Sequence, residues 1–261
     1  MRISNSIEVT YRDNVAVICV NRPEVKNAWD VPTYRAITGA LVEANENDDV
    51  GAIVLTAAGT IYCAGVDMKA PKEPADASGR RPSVGSLAMA RDNGWSQLLA
   101  SSKPTVGAVN GAAIGLGATH LLSLDIRLAG DAASFVFPFL AVGILPELGS
   151  TALLPRLIGE GRARELLLTG RVVSAEEAYT YGLVAQVLPE RELLEGAIHV
   201  AQKIAELPRH LVSATRRLLD DNGDGRDVSA ALVREGREFV ALLKAGGTTG
   251  PTMPTRKGDD K

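Results

Sequence analysis

A chain of 261 residues, 46% of them hydrophobic, can build one large domain, or one domain with an appendage, around a substantial core; with aromatics at only 4%, Val, Leu, Ile and Ala must supply it. A formal net charge of −3 argues against nucleic acid as the main partner. No apolar run approaches the roughly 18 residues of a bilayer span and no apolar leader opens the chain. Cys19 and Cys63 lie in apolar surroundings, so free buried thiols, a reducing compartment and a cytoplasmic location are expected.

Residues 7–11 and 15–20 alternate or run apolar around Arg12-Asp13-Asn14, which predicts a β-hairpin closed off by Asn21-Arg22-Pro23. Asp30 is placed to N-cap a helix with Pro32 in its first turn and Tyr34, Ile37, Leu41 and Val42 at helical spacing, reaching about residue 45. The apolar run 52–56 predicts a central strand with both faces covered. Small residues follow in the segment 62–67, where a ligand can approach the backbone. Residues 70–86, rich in Pro, Ala, Gly and charge, read as a loop able to border a site, and 87–101 as a helix.

Residues 105–109 form a short β-branched strand, Asn110-Gly111 a turn, and Gly115-Leu116-Gly117 the opening of an apolar helix to about residue 124. Strand, tight turn and helix leave backbone N–H groups free to stabilise developing negative charge. Glu147 is a lone carboxylate among Val142, Ile144, Leu145, Pro146 and Leu148. Together these features suggest proton chemistry next to a carbonyl. Helices follow over 148–157 and 162–169, a capping box at Ser174-Ala175-Glu176-Glu177 starts another, and 183–188 is the last strand. The pattern from 191 to 246 is helical, and 247–261 reads as a disordered tail. The alternation predicts an α/β class, with a core over 1–190.

Several chemistries are excluded by absence. There is no phosphate-binding G-x-x-x-x-G-K-[ST] loop, the glycines at 111, 115 and 117 are misspaced for a dinucleotide fold, and no G-x-S-x-G elbow occurs. His120, His199 and His210 are isolated from one another and from Cys, so no metal site is expected.

Four segments carry a resemblance. Asn21-Arg22-Pro23…Asn27-Ala28 is similar to N-R-P-x-x-x-N-A; residues 53–68 (IVLTAAGTIYCAGVDM) to V-L-T-G-x-G-x-x-F-x-A-G-x-D-L; residues 103–117 (KPTVGAVNGAAIGLG) to K-P-x-I-A-A-V-N-G-x-A-x-G-G-G; and Leu168-Thr169-Gly170 through Gly182-Leu183-Val184 to L-T-G-x-x-x-x-A-x-E-A-x-x-x-G-L-V. In this order and spacing they resemble the crotonase, or enoyl-CoA hydratase/isomerase, family. The resemblance implies a spiral of ββα units, C-terminal helices that drive a homotrimer or hexamer, and an acyl-CoA thioester substrate. CoA would be part of the substrate, with no separate cofactor, membrane or nucleic-acid partner. It implies an oxyanion hole from the backbone N–H groups of Val66 and Leu116, and a CoA-binding side lined by Lys26, Ala28, Ala64, Asp67 and Met68.

The same resemblance places Thr119 and Phe139 in the substrate pocket, where hydratases carry their two glutamates. Hydration normally uses one group to activate water and another to supply a proton, and neither side chain does this well. The segment Pro146-Glu147-Leu148-Gly149-Ser150 instead resembles that of Δ3,Δ2-enoyl-CoA isomerases, which implies that Glu147 shuttles a proton from C2 to C4 of a 3-enoyl thioester. Open beside this are a hydratase, thioester or C–C bond hydrolysis, and a non-catalytic acyl-CoA-binding protein. Glu147 can also be read as a helix N-terminal residue, Thr119 as a hydroxyl bonded to its own backbone, Lys26 and Asp67 as surface charge, and His120 as a packed residue.

Overall fold

The computed structural model of the protein describes residues 2–4, 6–72, 74–75, 83–88, 94–223 and 227–244. The chain divides into two units, residues 1–206 and 207–261.

In the first unit the strands are β1 (Arg2–Ser4), β2 (Ile7–Arg12), β3 (Val15–Val20), β4 (Ala52–Ala57), β5 (Thr105–Val109), β6 (Ala112–Ile114), β7 (Ile126–Gly130), β8 (Ser134–Val136), β9 (Val173–Ser174) and β10 (Gln186–Leu188). The helices are α1 (Val31–Glu46), α2 (Val84–Ala88), α3 (Trp95–Ala100), α4 (Leu116–Thr119), α5 (Ser150–Ile158), α6 (Glu160–Thr169), α7 (Ala175–Tyr181) and α8 (Glu190–Ala205). A seven-stranded sheet has the order β1-β2-β3-β4-β5-β7-β10, antiparallel through β3 and parallel from β3 onward. Its residues alternate between two cores. Val15, Val17, Ala52, Val54, Val106, Ala108 and Leu128 face Leu193, Ala197, Ile198 and Ala201 of α8. Ala16, Ile18, Val20, Ile53 and Leu55 face Ile37, Leu41 and Ala44 of α1. Both faces are therefore buried, which is why β4 reads as an unbroken apolar run.

After β4, β5 and β7 the chain crosses into a second layer. The backbone at Cys63, after β4, bridges Ala113 of β6; β6 pairs parallel with β8, and β8 pairs antiparallel with β9. Successive units thus stack as strand, cross-strand and helix, which is the ββα spiral that the resemblance implies. Arg127 in β7 is buried, and its guanidinium is satisfied by Leu183 O at 2.7 Å and Leu124 O at 2.6 Å. A charged residue inside so short a strand hid β7 from pattern reading; β6 and β8, of three residues each, are too short to show a period.

The boundary expected after residue 190 moves to 206, because α8 is held by the sheet it covers. The helix expected over 87–101 takes the form of α2 and α3, with 89–93 outside the described residues. The strand expected over 183–188 shortens to β10. Of the loop expected over 70–86, residues 73 and 76–82 lie outside the described residues, as does the tail 247–261. The second unit contains α9 (Arg209–Asp221) and α10 (Val228–Lys244), joined by the Arg217–Glu238 ion pair and by Arg234 Nε donating to Asn222 Oδ1 at 2.6 Å.

Candidate functional site

Two backbone segments meet at the crossing from the first layer to the second. Cys63 N–H donates to Ala112 O at 3.1 Å, and Ile114 N–H to Cys63 O at 2.9 Å. Close approach requires small residues on both sides. A Cβ on Gly117 would lie 2.3 Å from Cys63 O, and one on Gly111 2.0 Å from Thr60 O. Gly65 takes φ +97°, and a Cβ there would stand 3.9 Å from Leu116 N, so the Val66 turn lies directly against the start of α4.

The local hydrogen bonding leaves one N–H unused in each segment. Trp29 bridges Val66 in parallel fashion, bonding Gly65 O at 2.8 Å and Asp67 N–H at 2.9 Å, which turns the Val66 N–H away from Trp29. Leu116 is the first residue of α4, and its N–H has no intrahelical acceptor. Neither N–H has a partner among the described residues. Donors of this kind can hold an oxygen on which charge develops.

Arg22 and Asn27 organise the turn beside this crossing, a role that the N-R-P-x-x-x-N-A motif alone does not state. Arg22 reaches Ala28 O at 2.7 Å, Thr33 Oγ1 at 3.2 Å, Asp30 at 3.0 Å and Asp67 at 3.4 Å. Asn27 is fully buried; its amide donates to Ala58 O and Ile61 O, both at 2.7 Å, and its Oδ1 accepts from Arg22 N–H at 2.8 Å. Lys26 and Asn27 both take left-handed backbone, φ +57° and +52°. The Asn27 bonds offset the strain of that turn. A polar residue held so firmly beside an apolar segment is the signal that N-R-P-x-x-x-N-A contained. Arg22→Ala leaves Asp30 and Asp67 facing each other without their cation; a loss of about 2 kcal/mol in stability is expected from chemical denaturation.

Of the expected CoA-side residues, Lys26, Ala28, Ala64, Asp67 and Met68 line one cleft of about 570 Å³, together with Val66. Lys26 and Met68 are exposed. Asp67 is not free surface charge: its carboxylate pairs with Arg22 and accepts from Lys69 N–H at 3.0 Å.

Thr119 and Phe139 are not brought to that cleft. Thr119 is fully buried, and its hydroxyl turns back on Gly115 O at 3.3 Å and Leu116 O at 3.4 Å, the second of its two expected roles. Phe139 sits in the core with Phe135, Phe137 and Leu116. Glu147 is half-buried, and burial raises its carboxyl above the usual range. It does not belong to the following helix, which starts at Ser150 with Gly149 as a cap that makes no side-chain bond. Glu147 instead opens a tight turn, with Ser150 N–H donating to Glu147 O at 3.0 Å across Leu148 at φ +53° and Gly149 at φ +72°. A buried Leu at positive φ is strained, and such strain gathers at functional sites. No hydrogen-bond donor or cation partners the Glu147 carboxylate among the described residues.

His120 is packed, as one expectation had it. Its Nδ1 meets Leu116 O at 2.9 Å, its Nε2 meets Tyr62 Oη at 3.1 Å, and its ring contacts those of Trp29 and Trp95. Burial lowers its pKa to about 4. The unfolded chain takes the proton near 6.5, so stability is full above that pH and falls as pH drops toward 4, by about 3 kcal/mol in total. Denaturant melts between pH 7 and 4 check this, and the dependence should shrink in His120→Asn.

Both cysteines are free, and burial pushes the Cys63 thiol up to about 12. Among the described residues no three or more His, Cys, Asp or Glu gather to hold a metal, and no helix is long and apolar enough to cross a membrane.

The geometry has counterparts in known proteins. The family model described as enoyl-CoA hydratase/isomerase matches residues 10–243. A probable enoyl-CoA hydratase of Mycobacterium bovis, echA12, is 36% identical over 239 residues, 90% of this chain and 84% of that protein. The 1,2-epoxyphenylacetyl-CoA isomerase of Escherichia coli K12 is 35% identical over 195 residues, 74% of each. The crystal structure of an enoyl-CoA hydratase from Bacillus anthracis superimposes with a TM-score of 0.79 at 32% identity, covering 92% of this chain and 91% of that one. With the motifs, the layered spiral and these relatives in agreement, the chain belongs to the enoyl-CoA hydratase/isomerase, or crotonase, family of enzymes.

Proposed function

We propose that the protein shifts the double bond of a 3-enoyl-CoA to the 2-position, using one carboxylate. The observation that carries this reading is Glu147: a single half-buried acid with a raised pKa and no partner among the described residues; the family resemblance implies Thr119 and Phe139 at the positions where hydratases carry their glutamates. The CoA moiety lies along the cleft of Lys26, Ala28, Ala64, Asp67 and Met68. Glu147 removes a proton from C2, the N–H groups of Val66 and Leu116 hold the thioester oxygen as the dienolate forms, and protonated Glu147 returns the proton at C4. Breaking one C–H bond and making another leaves the composition unchanged, so no cofactor is needed beyond the CoA already in the substrate. An acid whose pKa is drawn toward working pH both accepts and returns a proton readily.

A homotrimer or hexamer is the proposed assembly, supported by the exposed Leu232, Val233, Phe239, Val240 and Leu243 of α10. The hydratase names carried by relatives favour hydration as the second reading. Incubating the protein with a 3-enoyl-CoA, and separately with a 2-enoyl-CoA, decides between them. Conjugated thioester absorbance should grow in the first sample. Loss of that absorbance in the second, with none gained in the first, would replace isomerisation with hydration.

A further inference from the structure

We propose that Thr119 and His120 are positioning residues for the Leu116 N–H, acting through the two carbonyls of the first turn of α4. This rests on the reading of Leu116 as an oxyanion donor. The peptide that carries the Leu116 N–H has Gly115 O as its carbonyl. That oxygen accepts from the N–H groups of Ala118 and Thr119, each at 2.9 Å, and from Thr119 Oγ1 at 3.3 Å. Bonds onto a carbonyl polarise the N–H at the other end of the same peptide, so the three together strengthen the donor as well as fixing its direction. The next carbonyl, Leu116 O, accepts from the His120 N–H and from His120 Nδ1 at 2.9 Å.

The His120 contact determines its own tautomer. A carbonyl oxygen only accepts, so Nδ1 carries the proton, and bare Nε2 accepts from the Tyr62 hydroxyl at 3.1 Å. Three aromatic rings flank the imidazole. It stacks parallel to Tyr62, meets Trp29 at 4.6 Å between centroids, and takes the edge of Trp95, whose Nε1 donates to His120 O at 2.9 Å. Trp29 is also the residue whose backbone brackets Val66. One buried cluster therefore bears on both donor segments. Thr119 and His120 are each about fully buried, so their effect on a substrate passes through Leu116.

The test is the carbonyl stretch of hexanoyl-CoA, carrying carbon-13 at C1, bound to the full chain and read by difference infrared spectroscopy. A saturated ester neither isomerises nor hydrates, so the result does not depend on which reaction the enzyme performs. Its stretch is expected at lower frequency when bound than when free. Thr119→Val removes one side-chain donor to the turn, and His120→Gln carries its amide donor one bond farther out, away from the Nδ1 position; Thr119→Ser and His120→Asn keep a donor near the original position. The first pair should lose part of the downshift and lower kcat by roughly 10²-fold, with KM little changed, and the second pair should restore both. A full downshift in the folded Val and Gln variants, or no recovery in the Ser and Asn variants, overturns the proposal. If the parent protein itself produces no downshift, the oxyanion reading fails and the proposal falls with it. Should His120→Gln not fold, by circular dichroism, the Thr119 pair decides alone, since it exchanges a hydroxyl for a methyl of similar size.

Discussion

Glu147→Gln should lower turnover of a 3-enoyl-CoA by about 10²–10⁴-fold while leaving affinity for CoA esters unchanged. Gln keeps the size and polarity of the side chain and removes the proton transfer. The Glu147 carboxylate caps no helix and meets no cation among the described residues, so the substitution breaks no structural bond there. The pH profile provides a second readout. Burial raises the carboxyl above its usual range, and the base acts only when ionised. The value of kcat/KM therefore climbs with pH through that raised pKa and levels off above it. Stability runs the other way for this group. A carboxyl whose folded pKa exceeds its unfolded one makes the folded state the better proton binder, so its ionisation destabilises the fold as pH rises. Glu147→Gln should consequently be as stable as the parent near neutral pH, or more so. A variant that keeps its activity, or one that loses activity only because it melts, would rule Glu147 out as the proton carrier. Isothermal titration with a saturated acyl-CoA separates binding from turnover; unchanged binding with full turnover would move the chemistry to another residue.

Gly117→Ala should cost about 1–3 kcal/mol of stability and roughly 10²-fold in rate. The added Cβ would sit 2.3 Å from Cys63 O and 3.0 Å from Cys63 C, both backbone atoms that cannot swing aside. The segment carrying Leu116 and the one carrying Val66 must then separate, and the two N–H groups no longer bear on one oxygen. Gly161→Ala is the control. A Cβ there meets nothing within 4 Å, its backbone is helical in α6, and a gain of about 0.5 kcal/mol with no change in rate is expected. Thermal melts and initial rates on both variants check the pair. Equal losses at 117 and 161 would mean that glycine matters through chain flexibility and not through the approach of the two segments.

Much of the first layer was legible because each element stated its burial locally. The hairpin, β4 and β5 are apolar runs or alternations bounded by turn residues, and their partners cover both faces of the sheet. Asp30 accepts from Thr33 N–H at 2.8 Å, and the Ser174–Glu177 capping box closes in both directions, because capping depends only on residues three apart. The second layer was not legible. β6, β8 and β9 have two or three residues each, and what makes them strands is the neighbour that each meets in space. The outer helix boundary failed for a related reason: α8 has the amphipathic pattern of a free-standing helix, and only the sheet beneath it assigns it to the first unit.

For the candidate site, the sequence by itself determined the family, the small residues of the crossing and the lone acid. Gly65, Gly111, Gly117 and Glu147 are visible as residue types in unusual company, and that is local information. The tertiary structure decided what those residues do to one another. It turned Thr119 onto its own helix, buried Phe139 in the core, tied Asp67 to Arg22, and enclosed His120 among Trp29, Tyr62 and Trp95. Hydrogen bonds between residues tens of positions apart leave no period in the chain. Whether a polar group meets substrate or spends its bonds inside the protein depends on partners that only folding brings within reach.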